Sequence, residues 1–115
     1  MEVDIKMRTT KKRINVISEY NMSGWDAMER YILDPDITKI NINGTNIYIE
    51  KHGIKTMALE RFESVEQGID YLKYITGGTP KEPKIQMILY DIGWEIRALL
   101  VPIAVNGLLI SLRKL

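Results

Sequence analysis

The stretch that decides the fold is Ile37-Thr38-Lys39-Ile40-Asn41-Ile42-Asn43-Gly44-Thr45-Asn46-Ile47-Tyr48-Ile49-Glu50-Lys51-His52-Gly53-Ile54-Lys55-Thr56-Met57-Ala58. Apolar and polar residues alternate with the period of a strand. Ile37, Lys39 and Asn41 fall on one side and Thr38, Ile40 and Ile42 on the other. Asn43-Gly44 is a strong turn dipeptide. Ile47 and Ile49 then alternate with Tyr48 and Glu50. His52-Gly53 turns the chain again, and Ile54 to Ala58 forms a third short strand. Three strands joined by tight turns make a meander.

Helices are expected on either side of it. Upstream, Ser23 reads as an N-cap and Asp26 suits the first turn. From Gly24 to Leu33, Trp25, Met28 and Ile32 recur at helical spacing, and Asp34-Pro35 ends the helix. Downstream, Ser64 caps a second helix whose stripe is Val65, Ile69, Leu72 and Ile75. Gly77-Gly78 closes it, and a proline-containing loop runs from Thr79 to Lys84. A second set of strands follows. Ile85 to Tyr90 leads through Asp91-Ile92-Gly93 to Trp94 to Val101. After Pro102 and the turn Asn106-Gly107 comes Leu108 to Leu112. Helix, three strands, helix, three strands is an α+β pattern.

The chain has 115 residues, the size of one domain. Residues 1–13 form a basic arm with Lys6, Arg8, Lys11, Lys12 and Arg13, read as a solvated tail. Ile14, Val16 and Ile17 begin ordered structure, and 14–115 reads as a single domain. Sixteen basic and fifteen acidic residues give a net charge of +1. That is no basis for strong binding to nucleic acid or anionic lipid. With no cysteine, disulfides, thiolate catalysis and cysteine-ligated metals are excluded. His52, the single histidine, sits in a turn and cannot build a multi-histidine metal site alone. No apolar run is long enough to span a membrane, and the first residues lack a secretory apolar stretch.

Candidates for chemistry are few. No glycine precedes a lysine, so there is no phosphate loop. Asp34 and Asp36 flank Pro35 and Asp91 lies in a turn, places where aspartate caps and turns well. Ser18, Ser23, Ser64 and Ser111 lack a nucleophile elbow. Tyr48, Lys51 and Lys55 come closest to a nucleic-acid platform, with Glu50 among them. Arg97 lies in an otherwise apolar strand and Arg113 ends the final one. Glu95 shares a strand face with Arg97, so a lateral ion pair is the ordinary role. Arginine is also the residue best suited to phosphate, because its planar fork makes two parallel hydrogen bonds.

Asp34 to Gly44 resembles the D-P-x-(V/I)-T-(E/D)-I-x-(V/I)-N-G segment of the secretion ATPases. Ile47 to Gly53 is similar to the I-Y-(V/I)-E-x-x-G that follows it there. Trp94 to Arg97 with Pro102, then Gly107 to Lys114, resemble the family's arginine-then-proline strand and its closing G-x-x-(I/V)-x-(I/L)-R-(K/L). The resemblance covers residues 24–115. The family is the hexameric ATPases of type II and type IV secretion, pilus assembly and conjugation.

That resemblance implies an α+β, PAS-like antiparallel sheet of about six strands with two to three helices. It implies a non-catalytic N-terminal domain, with a phosphate-loop motor domain expected C-terminal to Leu115 and absent from this chain. ATP and magnesium belong to the full-length family, and no cofactor is expected for the domain alone. The implied partners are neighbouring subunits of a hexamer and inner-membrane secretion or pilus components. The implied place is the cytoplasmic side of the membrane, and no specific nucleic acid is expected. The arginines matching Arg97 and Arg113 face the nucleotide phosphates held by the motor. The family's D-(A/G)-R-L-x-(D/E)-G stretch reads here Met87 to Gly93, without its arginine. Two other functions stay open: a stand-alone regulatory or scaffold module, and a single-stranded nucleic-acid binder using Tyr48, Lys51 and Lys55.

Overall fold

The computed structural model describes residues 24–115. The basic arm, the start of order at Ile14 to Ile17 and the Ser23 cap lie outside the described residues. The elements are α1 (Gly24–Leu33), β1 (Ile37–Asn43), β2 (Asn46–Lys51), β3 (Ile54–Arg61), α2 (Val65–Thr76), β4 (Lys84–Leu89), β5 (Trp94–Leu100) and β6 (Leu108–Lys114). Among the described residues, all six strands join one antiparallel sheet in the order β3-β2-β1-β6-β5-β4. Two meanders therefore meet at a seam between β1 and β6. The α+β sheet of six strands and two helices agrees with the expectation from the sequence.

Both helices cover one face. Met28 of α1 and Tyr71 and Leu72 of α2 are fully buried against Ile40, Ile42, Ile47, Ile96, Leu108, Ile110 and Leu112. An antiparallel sheet packed on one side keeps strict alternation, and its other face meets water. In β6, Leu108, Ile110 and Leu112 point to the core while Leu109, Ser111 and Arg113 point away.

Local chemistry sets the helix ends. Ser64 Oγ accepts from the Gln67 amide at 3.1 Å, and Gln67 Oε1 accepts from the Glu63 amide at 2.8 Å. Gly77 takes the left-handed conformation (φ 87°), and its amide donates to Lys73 O at 2.9 Å. Asp34 Oδ1 accepts from the Asp36 amide at 2.9 Å, turning the chain from α1 into β1. This bond above all, with Lys51 beside it, holds the Asp34 carboxyl below the usual carboxylate range.

Three local readings change. Ile37 is buried with Ile40 and Ile42, not exposed with Lys39 and Asn41. The β1–β2 register shifts between Ile37 and Lys39, placing one extra residue on β1 and reversing the parity there. β3 runs to Arg61 rather than Ala58. A second register shift, between Asn46 and Tyr48, leaves two extra residues on β3. That bulge brings Glu60 beneath α1, where it accepts from Tyr31 Oη at 2.5 Å. In α2, Leu72 of the expected stripe is fully buried, while Val65, Ile69 and Ile75 pack partly buried around it. Gly68 and Tyr71 go deeper. A Cβ on Gly68 would lie 2.6 Å from Leu108 Cδ2, so any larger residue there obliges the Leu108 side chain to shift.

Candidate functional site

The open face of the sheet carries a concavity of about 230 Å³ lined by Lys39, Asn41, Glu95, Arg97, Ser111 and Arg113. The residues come from three adjacent strands in two cross-strand rows. Lys39 of β1 lies opposite Arg113 of β6, which lies opposite Glu95 of β5. Asn41 lies opposite Ser111, which lies opposite Arg97. Side chains directly across an antiparallel pair are in reach of one another. The two arginines that the sequence singled out are thus brought together, and Lys39, Asn41 and Ser111 join them.

The fold positions each side chain for a plain reason. Trp94, Ile96 and Ala98 fill the core, so Glu95 and Arg97 must point outward. Trp94 Nε1 donates to Ile32 O at 3.3 Å, which ties β5 to α1. Leu112 and Ile110 do the same for Arg113 and Ser111. Beyond Arg113, Lys114 Nζ donates to Asp34 O at 3.1 Å and to Pro35 O at 3.3 Å, pinning the end of β6 to the start of β1.

Glu95 organises the charges. Its Oε1 accepts from Arg113 Nη2 at 2.6 Å, and its Oε2 lies 3.7 Å from Arg97 Nη2. Gln86 Nε2 of β4 donates to Oε2 at 3.4 Å. The Arg113 hydrogen bond, foremost, keeps the Glu95 carboxyl below the usual carboxylate range. Its side chain is 14% exposed, against 62% and 61% for Arg97 and Arg113. The lateral Glu95–Arg97 pair expected from spacing is present, but the shorter bond runs across the strands to Arg113. The guanidinium groups keep open sides toward water. Three cations face one carboxylate, and Asn41 and Ser111 add neutral polar groups. Such a set has the charge and the donors that suit an anion.

The nucleic-acid platform does not assemble. Lys55 Nζ sits 5.8 Å from the centre of the Tyr48 ring, but Lys51 points elsewhere and pairs with Asp34 Oδ2 at 3.1 Å. His52 is an exposed turn residue, 4.0 Å from Asp36. Lys39, Asn41 and Ser111 were missed in the sequence. Their alternation was visible, but nothing local told which strand lies beside β1. No helix of the described residues is long and apolar enough to cross a membrane.

No protein-family model matches the sequence, and no curated protein matches it. The fold is similar to that of the VirB11 ATPase from the Brucella suis type IV secretion system, solved in complex with sulphate. The identity is 17% and the TM-score 0.60, over 76% of this chain and 29% of that one. The chain thus spans less than a third of the length of the ATPase it matches. At the level of fold, the likeness bears out the resemblance that the motifs carry: this chain has the architecture of one part of a type IV secretion ATPase.

Proposed function

We propose that the chain acts as a non-catalytic N-terminal domain of a secretion ATPase. Its open sheet face turns toward the nucleotide of a motor domain that follows Leu115, and Arg97 and Arg113 contact the phosphates there. In that setting the domain helps to assemble a hexamer with neighbouring subunits and couples nucleotide turnover to domain motion. It docks on inner-membrane secretion or pilus components from the cytoplasmic side. ATP and magnesium would be held by the motor; the residues of this chain supply charge and position. The observation that carries the reading is the convergence of Arg97 and Arg113 on one concavity of the open face. Fixed guanidinium groups stabilise the charge that develops on a transferring phosphoryl group.

The test is ATP turnover by this domain joined to its motor. Arg97→Ala and Arg113→Ala should each lower turnover by about tenfold or more, since removal of a cation at a phosphoryl centre costs at least that. Turnover equal to the parent in both variants overturns the arginine roles. ATP hydrolysis by residues 1–115 alone, abolished by a substitution within them, overturns the non-catalytic reading.

A further inference from the structure

We infer that Lys39 is the third cation of this site and Glu95 its built-in competitor. Together they make the face a receptor for a linear polyphosphate rather than for a single oxyanion. The inference rests on the phosphate-facing reading above and names the ligand chemistry and the control of that same face.

The argument starts from the charges along one row. Reading across the sheet, the open face presents Lys55, Glu50, Lys39, Arg113 and Glu95 as successive cross-strand partners. Opposite charges alternate within each meander, the arrangement that stabilises a sheet. The alternation breaks at one place, the β1–β6 seam, where Lys39 and Arg113 stand directly opposite. Like charges in that position repel. Glu95 relieves Arg113 but sits on its far side from Lys39, and among the described residues Lys39 joins no ion pair. Glu50 stands opposite Lys39 as Glu95 stands opposite Arg113, and a bound anion would relieve the seam further from the side facing water.

The dimensions choose the anion. Lys39, Arg113 and Arg97 stand on three neighbouring strands, Arg97 one row over, so the outer two are about 12 Å apart at the backbone. A single tetrahedral oxyanion fills one or two forks. A chain of two or three phosphoryl groups can run along Lys39 and Arg113 and turn to Arg97 in the neighbouring row, meeting all three cations. The lining holds no aromatic or large apolar side chain, so nothing there grips a nucleobase. The site reads phosphate and ignores base and ribose. Glu95 competes with the ligand for both arginines, since it occupies an edge of each guanidinium before anything binds.

The experiment is calorimetric titration of the full 115-residue chain at low salt with inorganic triphosphate, inorganic phosphate and ATP. Triphosphate should bind about tenfold tighter than phosphate, a difference of 1.4 kcal/mol, and ATP within about threefold of triphosphate. Lys39→Ala should cut the triphosphate preference about fivefold, and Glu95→Gln should raise triphosphate affinity by about threefold or more. Far-ultraviolet circular dichroism and a melt show that each variant is folded. Equal affinities for phosphate and triphosphate, no binding of triphosphate, or an unchanged preference in Lys39→Ala overturns the inference. Arg97→Ala with Arg113→Ala separates the two claims. If the pair abolishes binding while Lys39→Ala changes nothing, the phosphate-facing reading stands and the role of Lys39 falls. If triphosphate binds undiminished to the arginine pair variant, both fall.

Discussion

Gly24→Ala tests the placement of the layer that leaves the opposite sheet face free. The ideal Cβ at position 24 would lie 2.6 Å from Phe62 N, 2.8 Å from Arg61 C and 3.0 Å from Phe62 Cα. These are backbone atoms at the end of β3, and Phe62 N is already committed to Thr45 O at 3.0 Å. Ordinary carbon contacts need about 3.5 Å, so the start of α1 must retreat by about 1 Å. Ala27 and Met28, both fully buried, move with it, as does the edge-on packing of Trp25 on Tyr71 at 5.2 Å. Overpacking of this kind costs about 1–3 kcal/mol, while the gain in helix propensity from Gly to Ala returns at most about 1. The expected net is about 2 kcal/mol of destabilisation, or about 10 °C in Tm for a domain of this size. Urea unfolding followed by the fluorescence of Trp25 and Trp94 measures it. Gly78→Ala is the matched control, because a Cβ there meets nothing within 4 Å and its φ is ordinary. It should stay within about 0.5 kcal/mol of the parent. If Gly24→Ala is equally silent, α1 is not seated on the Arg61–Phe62 backbone.

The Tyr31–Glu60 bond ties α1 to β3, and Tyr31→Phe should cost about 1 kcal/mol in urea titrations at neutral pH. Burial, then the bond to Glu60, pushes the Tyr31 hydroxyl up to about 12. A raised folded value means stability fully present below the usual tyrosine value near 10 and lost as pH rises through about 12. Melts from pH 9 to 12 should fall less steeply in Tyr31→Phe, and identical slopes would remove that assignment. Asp34 and Glu95 have lowered values, so they contribute stability above the ordinary carboxylate range that is lost as pH drops through their folded values. Asp34→Asn and Glu95→Gln should each flatten the acid limb of a melt series. Strand β3 is a sheet edge with Ile54, Met57 and Leu59 exposed, Leu59 at 99%. Weak, concentration-dependent self-association should appear in sedimentation velocity and diminish in Leu59→Lys, with no stable six-chain species.

The sequence carried the order of elements because each is signalled locally. Alternation marked the strands, Asn43-Gly44 and His52-Gly53 the hairpins, and Gly77 the end of α2, where the left-handed backbone favours a residue without Cβ. It carried Arg97 and Arg113 because an arginine inside apolar alternation stands out. What it did not carry was set by contacts distant in the chain. The parity of Ile37 depends on a bulge that exists only once β2 is paired. Tyr71 is buried because Trp25, 46 positions upstream, and Phe62 stack against it at 5.2 and 5.9 Å. Lys39 belongs to the site because β1 lies beside β6, and no signal within either strand announces a pairing across 70 residues.

That same pairing makes the stability of the domain a report on its ligand. Anything that binds the folded chain and not the unfolded one raises stability by RT ln(1 + [L]/Kd), about 2.7 kcal/mol at one hundred times Kd. The open face is formed only when β1, β6 and β5 are in register, so the unfolded chain has no such site. Millimolar triphosphate should therefore raise Tm, whereas sodium chloride at matched ionic strength should not, because screening weakens the Glu95–Arg113 bond as well as the repulsion at the seam. The rise should shrink in Lys39→Ala and grow in Glu95→Gln, the order set by how many cations face the chain of phosphates and how many are held by Glu95. A rise of equal size in all three proteins would mean that the anion acts on the surface at large. The β1–β6 seam would then be an ordinary join between two meanders.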